Sequence, residues 1–182
     1  MNIFANTRII SAVRCKKDFE KALTSKPENI FLLSGNILEL MEYISKANEH
    51  KKRLFLHMDM IDGLGKDSAA VEFIARLGVF GVISTRGNII KHANALGLCT
   101  VQRFFIVDSR SLTTALETVH QTKPSYAELM PGIVCKAISE FSKEQTLVIA
   151  GGLINTVSEA ENAFNMGATA VSTSEYLLWE QL

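Results

Sequence analysis

The sequence predicts a small (β/α)8 barrel, a TIM-like α/β fold built as one domain over residues 1–182. A two-part unit recurs eight times: a short apolar, β-branched run, then polar or glycine residues, then apolar residues at helical spacing. No Pro-, Gly- or Ser-rich linker and no run of like charge interrupts the series, so no domain boundary is marked. The composition, 47% hydrophobic and 21% charged, is that of a globular chain with enough apolar side chains for one core. Alternating strands and helices argue for a parallel sheet, and eight such units argue for a closed one. Length is the objection, because such barrels typically need about 250 residues and rarely fewer than about 200. An open doubly wound sheet suits the length, but its roughly five or six strands leave some of the units unused.

The first unit is the run 9–14, followed by a helix from Asp18 to Thr24 that carries Phe19, Ala22 and Leu23. The second is Ile30 to Leu33, then Ser34-Gly35-Asn36 as a loop, then a helix whose stripe runs through Leu38, Met41, Ile44 and Ala47. Leu54 to Asp59 is the third strand, with Asp62-Gly63-Leu64-Gly65 as its loop and Asp67 or Ser68 as a helix cap. Val79 to Ser84 opens the fourth unit, whose helix from Asn88 to Leu96 stops at Gly97. Leu98 to Ile106 opens the fifth, with Asp108 or Ser109 capping a helix to His120. Tyr126 to Met130 is the sixth strand, Pro131-Gly132 its loop and Ile133 to Phe141 its helix. Leu147 to Ala150 runs into Gly151-Gly152, after which Thr156 and Glu159 form a capping box. The eighth strand is Ala170 to Ser172, and Ser174 to Trp179 reads as a short closing helix.

Nineteen Lys plus Arg balance nineteen Asp plus Glu, so the chain as a whole has no bulk attraction to polyanions. Any nucleic-acid partner must meet a local patch. The first eight residues lack the basic-then-apolar pattern of a secretory leader, and no apolar run approaches the roughly 18 residues that span a bilayer. A cytoplasmic protein without membrane contact is the expectation. Cys15, Cys99 and Cys135 are odd in number and far apart, with no Cys-x-x-Cys spacing, which fits a reducing compartment and buried, inert thiols.

In a βα barrel, ligands bind at the C-terminal ends of the strands, where loops and helix N-termini supply polar groups. There the strongest signal is Gly151-Gly152 after strand seven with Ser172-Thr173-Ser174 after strand eight. Glycines let a backbone approach phosphate closely, and hydroxyls with N–H groups donate to its oxygens, without requiring a cation. As local structure alone, the same residues make a tight turn and a helix cap. His57 and Asp59 sit two apart on one strand, and Glu128 shares a face with Met130; Arg103 also lies at a strand end. Such groups serve as acid and base, or hold a divalent cation through Asp59 and Glu128. They equally satisfy one another or bind the hydroxyls of a polyol. No Gly-x-Ser-x-Gly, Gly-x-Gly-x-x-Gly or P-loop is present, nor a strand-end lysine suited to a Schiff base, so neither a catalytic set nor a metal or cofactor site is assigned.

Positive charge is uneven. The first 26 residues hold six Lys or Arg, among them Arg14, Lys16 and Lys17, against two carboxylates, and a second cluster, Lys46, Lys51, Lys52 and Arg53 with His50, precedes strand three. The helices of the first two units are neighbours in a barrel, so together these clusters suggest a basic face for RNA phosphates, or ordinary solvated helix faces.

The segments His57-Met58-Asp59 with Gly63, Gly81 to Thr85, Gln102 to Ser109, Glu128 to Gly132, Ile149 to Leu153 and Ala170 to Ser174 resemble, in that order, the glycerol uptake operon antiterminator regulatory proteins. The likeness runs from Ile9 to Trp179. It implies a barrel-shaped regulator that responds to glycerol 3-phosphate and binds the leader mRNA of glycerol-utilisation operons to prevent early termination. It carries the phosphate loops onto Gly151-Gly152 and Ser172-Thr173-Ser174, and matches Asp59, Arg103 and Glu128 without assigning their roles. The competing class is an enzyme of the same architecture acting on a polyol phosphate, for instance a glycerol-phosphate transferase. A homodimer is expected only on the general frequency of two-fold assemblies.

Overall fold

The structure is a computed structural model that describes Ile3, Phe4 and residues 6–182. Eight parallel strands close into a barrel: β1 (Ile9–Val13), β2 (Asn29–Leu32), β4 (Arg53–His57), β6 (Gly81–Ser84), β7 (Cys99–Phe105), β8 (Tyr126–Met130), β9 (Val148–Gly151) and β10 (Ala170–Thr173). The register closes between β1 and β10, where Ser11 lies opposite Thr173. Eight helices cover it: α1 (Lys16–Thr24), α2 (Leu40–Glu49), α3 (Ser68–Arg76), α4 (Gly87–Ala95), α5 (Ser109–Thr122), α6 (Cys135–Lys143), α7 (Val157–Asn165) and α8 (Tyr176–Gln181). The expected barrel fits this short chain because every helix but α5 has only six to ten residues. No helix among the described residues is long and apolar enough to cross a membrane.

Local chemistry starts the helices where the sequence says it should. Asp67 accepts the Ala70 N–H at the head of α3, and Asp108 and Thr156 each close a full capping box, with Ser111 and Glu159. The second unit differs from expectation. Gly35–Asn36 (β3) pairs in parallel with Ile61–Asp62 (β5), tying two βα connections together, and α2 begins only at Leu40. Its buried stripe is Leu40, Tyr43, Ile44 and Ala47, while Leu38 and Met41 are exposed. Residues spaced only by threes drift about 60° per step around a helix, so the 38–41–44–47 row does not stay on one face. The thiols also differ: Cys15 is exposed, and Cys99 and Cys135 are partly exposed.

Two apolar clusters result from the strand pleat. Outward-facing residues such as Val13, Leu32, Leu56, Val82 and Val171 pack under the helices. Inward-facing Ile10, Phe31, Phe55, Ile83, Val101, Tyr126, Ile149 and Ala170 fill the barrel. The N-terminal residues seal its lower end: the Ile3 carbonyl accepts from Asn29 Nδ2 at 3.0 Å and from Arg53 Nη1 at 2.9 Å, and Phe4 stacks edge-on against Tyr126 at 5.1 Å.

Candidate functional site

Two residues beyond these apolar side chains the pleat brings the next inward position to the C-terminal mouth, and there the chemistry changes. Phe55 is followed by His57, Val101 by Arg103, Tyr126 by Glu128, Ile149 by Gly151 and Ala170 by Ser172. Register places Arg103 beside Glu128, and Arg103 Nε donates to Glu128 Oε2 at 2.7 Å in a pair that is almost wholly buried. Ser172 Oγ donates to the other carboxylate oxygen at 2.7 Å, reaching across β9. It can do so because Gly151 lies between: a Cβ there would stand 2.6 Å from Glu128 Oε1 and 2.7 Å from Ser172 Oγ. With both oxygens held by donors, Glu128 is a fixed anion in a buried, charge-assisted network. Only Nε of Arg103 is used; its Nη groups meet no acceptor among the described residues.

Around this network lies a small cleft of about 50 Å³, lined by Arg14, Arg103, Glu128, Met130 and the segments 152–155 and 172–174. Gly152 (φ 76°) and Leu153 (φ 60°) turn the chain through the left-handed region immediately after β9. Among the described residues the N–H groups of Gly152, Leu153, Ile154 and Ser174 have no acceptor, whereas those of Asn155 and Thr156 are taken by Glu159. Thr173 Oγ1 bonds the Ile154 carbonyl and the Glu175 N–H, locking the two loops together, and Trp179 Nε1 holds the Thr173 carbonyl. The two glycine and serine segments singled out in the sequence thus share one cleft and leave several N–H donors unpaired. Arg14 stands over them because β1 neighbours β10, and Ser34 Oγ anchors the Arg14 carbonyl.

His57 and Asp59 do not sit together on a strand as expected. β4 ends at His57, and Asp59 belongs to a 3₁₀ turn (Met58–Met60) in which Met58 is buried. The turn carries the carboxylate sideways to the β6–α4 connection, where it accepts from Thr85 N at 2.7 Å, Ser84 Oγ at 3.0 Å and Arg86 Nε at 3.2 Å. Burial works to raise the Asp59 pKa, and the Thr85 and Ser84 hydrogen bonds outweigh it, so the carboxyl titrates below its usual range. His57 Nδ1 is 4.0 Å from Asp59 Oδ2, too far for a hydrogen bond, and is buried without a partner. Burial, and then the nearby Arg103 charge, lower its pKa to about 4, so the imidazole is neutral at neutral pH. Asp59 and Glu128 are therefore engaged by separate donor sets, and among the described residues no group of three or more His, Cys, Asp or Glu is placed to hold a metal.

The basic residues are spread along the barrel. Arg14 and Lys16 lie at the mouth end, Lys52 and Arg53 at the opposite end where β4 begins, a strand length away. Lys16 pairs with Glu42 at 2.8 Å. Lys52 Nζ donates to the Pro27 carbonyl at 2.9 Å, and Arg53 pairs with Glu28 at 3.0 Å. Lys17 and Lys51 pair with no carboxylate among the described residues.

The family model for the glycerol-3-phosphate responsive antiterminator matches residues 9–179. The chain belongs to this family. It is 32% identical to the glycerol uptake operon antiterminator regulatory protein of Listeria monocytogenes, whose crystal structure superposes with a TM-score of 0.94 over 98% of both chains. A glycerol uptake operon antiterminator-related protein of Thermotoga maritima is 29% identical, with a TM-score of 0.86 over 94% of this chain and 96% of that one. The Escherichia coli K12 protein YgcP is 29% identical over 98% of this chain and 95% of its own length. Deoxyribose phosphate aldolase of Aeropyrum pernix, at 12% identity and a TM-score of 0.71, is similar in fold alone. The Listeria and Thermotoga proteins carry names that refer to the glycerol uptake operon, and in this antiterminator family member the barrel mouth is the place where the chain's own polar groups converge.

Proposed function

We propose that this family member is a sensor of glycerol 3-phosphate that binds the leader mRNA of glycerol-utilisation operons when the ligand is present. The observation that carries the ligand half is the cleft lined by Gly152, Leu153, Ile154 and Ser174, whose N–H groups have no acceptor among the described residues, together with Arg14 and Arg103. A phosphate dianion takes such donors on its oxygens, and a guanidinium adds charge-assisted hydrogen bonds. In this reading phosphate sits on Gly151-Gly152 and Ser172-Thr173-Ser174 under Arg14, and the glycerol hydroxyls turn toward Arg103 and Glu128, with His57 and Asp59 at the edge. Arg14, grouped with the RNA-binding candidates in the sequence, moves to the ligand. The cleft is small, about 50 Å³, so Arg14 and the exposed Leu153 shift outward as the ligand enters.

We assign the mouth no reaction and no cofactor. Glu128 is held by Arg103 and Ser172, His57 is neutral and buried, and no lysine is buried among the described residues, which disfavours the transferase alternative. Ligand promotes RNA binding only if the RNA-competent conformation binds it more tightly than the other does. The test is calorimetric titration with glycerol 3-phosphate, glycerol and inorganic phosphate. Saturable binding that needs both the phosphate and the glycerol part is expected; absence of binding would overturn the sensor.

A further inference from the structure

A second opening, a groove of about 470 Å³, lies outside the barrel between the first turns of α4 and α5, over the outer side of β7. Its size falls within the roughly 300–1,000 Å³ of small-molecule sites, and it belongs to none of the mouth machinery. Phe105 stands at its lip, 58% exposed, an unusual position for a phenyl ring at the end of a barrel strand. Gln102 forms part of its floor and points away from Arg103, its neighbour on the strand. The Gln102 side chain is fully buried. Its Oε1 accepts from Thr122 Oγ1 at 2.5 Å, and its Nε2 has no acceptor among the described residues. A buried donor left unpaired is costly, and an acceptor arriving through the groove would pair it. Gly87 packs against this end of the floor: a Cβ there would come within 3.8 Å of Nε2 and 2.8 Å of Thr122 Cγ2, so the absence of a side chain lets the start of α4 lie close to the Gln102 amide.

The walls carry both signs, Asp108 and Arg110. Arg110 lines the groove and pairs with no carboxylate among the described residues. Arg86, next to Gly87, is tied to Asp59 through Nε only. The exposed Asp108 carboxylate is engaged as the α5 cap, accepting the Ser111 N–H at 2.7 Å. An exposed aromatic ring, an unpaired amide donor and two guanidinium groups are the parts that hold an unstacked base by its face, its edge and its phosphates. We infer that this groove seats a nucleobase of single-stranded RNA, stacked on Phe105 and hydrogen-bonded by Gln102, with Arg86 and Arg110 on the flanking phosphates. The inference rests on the RNA-binding half of the proposed function and gives it a surface. Asp59 lies between the two openings, 4.0 Å from His57 and bonded to Thr85, which lines the groove, and to the adjoining Arg86.

The test uses a random-sequence, thiouridine-substituted single-stranded RNA pool with glycerol 3-phosphate present, photocross-linked to the full chain and mapped by mass spectrometry, alongside affinity measurements. Cross-links are expected on the 102–110 segment. Phe105→Ala should weaken RNA binding roughly tenfold or more, Gln102→Leu several-fold, and the same RNA annealed to its complement should compete poorly. Calorimetric binding of glycerol 3-phosphate should be unchanged in Phe105→Ala, whose side chain is exposed and outside the mouth. Wild-type affinity in both variants with cross-links elsewhere overturns the groove while leaving the RNA-binding reading intact. Absence of RNA binding by the wild-type chain overturns both, and the calorimetry then shows whether the sensor half stands. A wild-type dimer that Phe105→Ala dissociates in sedimentation velocity assigns the groove to a second copy and overturns the RNA occupant.

Discussion

At the floor of the barrel Phe31, Phe55, Val101, Tyr126 and Ile149 fill the space between strands, whereas two residues onward on four of those strands stand His57, Arg103, Glu128 and Gly151. The same pleat builds both layers. The floor is closed by apolar packing and by the Ile3 carbonyl, which binds Asn29 and Arg53. The mouth is held by one buried ion pair and leaves donors facing outward. Stability should therefore be concentrated below and ligand binding above, and substitutions in the two layers should separate the two properties.

The largest effect on stability belongs to the floor. Phe55→Ala removes a fully buried ring that touches Phe31 and Phe80, and should cost roughly 3–5 kcal/mol in urea unfolding. Its affinity for glycerol 3-phosphate should stay close to wild type; a large loss would mean that floor and mouth are one unit.

Next comes the boundary, where His57 is carried neutral. Its pKa lies at about 4 in the folded chain against 6.5 for the free side chain, so below pH 6.5 the unfolded state takes up a proton that the folded state refuses. Stability from this group is complete above pH 6.5 and falls as the pH drops toward 4, by on the order of 3 kcal/mol. Urea unfolding across that window should show a shallower loss in His57→Asn than in the wild type, and parallel curves would refute the assignment.

Glu128→Gln keeps the shape of the mouth but leaves the buried Arg103 charge without its anion. A loss of about 3 kcal/mol, the lower end for a broken buried ion pair because the Gln oxygen still accepts from Arg103, and a weakened ligand titration are expected together. Smallest in stability is Arg14→Ala, an exposed change that should stay within about 0.5 kcal/mol of wild type in thermal unfolding. In calorimetry it should nonetheless weaken glycerol 3-phosphate binding, while leaving any binding of glycerol alone untouched. Equal affinity for the phosphorylated ligand would remove Arg14 from the site.

The sequence by itself determined the order and number of the barrel strands and their helices, three capping sites to within one residue, and the paired glycine and serine loops. Those are local matters: β-branched runs, helical spacing, Asp67, Asp108 and Thr156 ahead of their helices, and backbone freedom at Gly152 all act over a few residues. Only the tertiary structure decided who meets whom across the barrel. Neighbouring strands place Glu128 between Arg103 and Ser172 only because Gly151 has no side chain to part them, a relation spanning some seventy residues of chain. Strand closure set Arg14 beside the last loop, a 3₁₀ turn drew Asp59 away from His57, and the length of one strand separates Arg14 from Arg53. Residue type and spacing carry local geometry; pairing between distant segments depends on register and closure, which only the folded barrel sets.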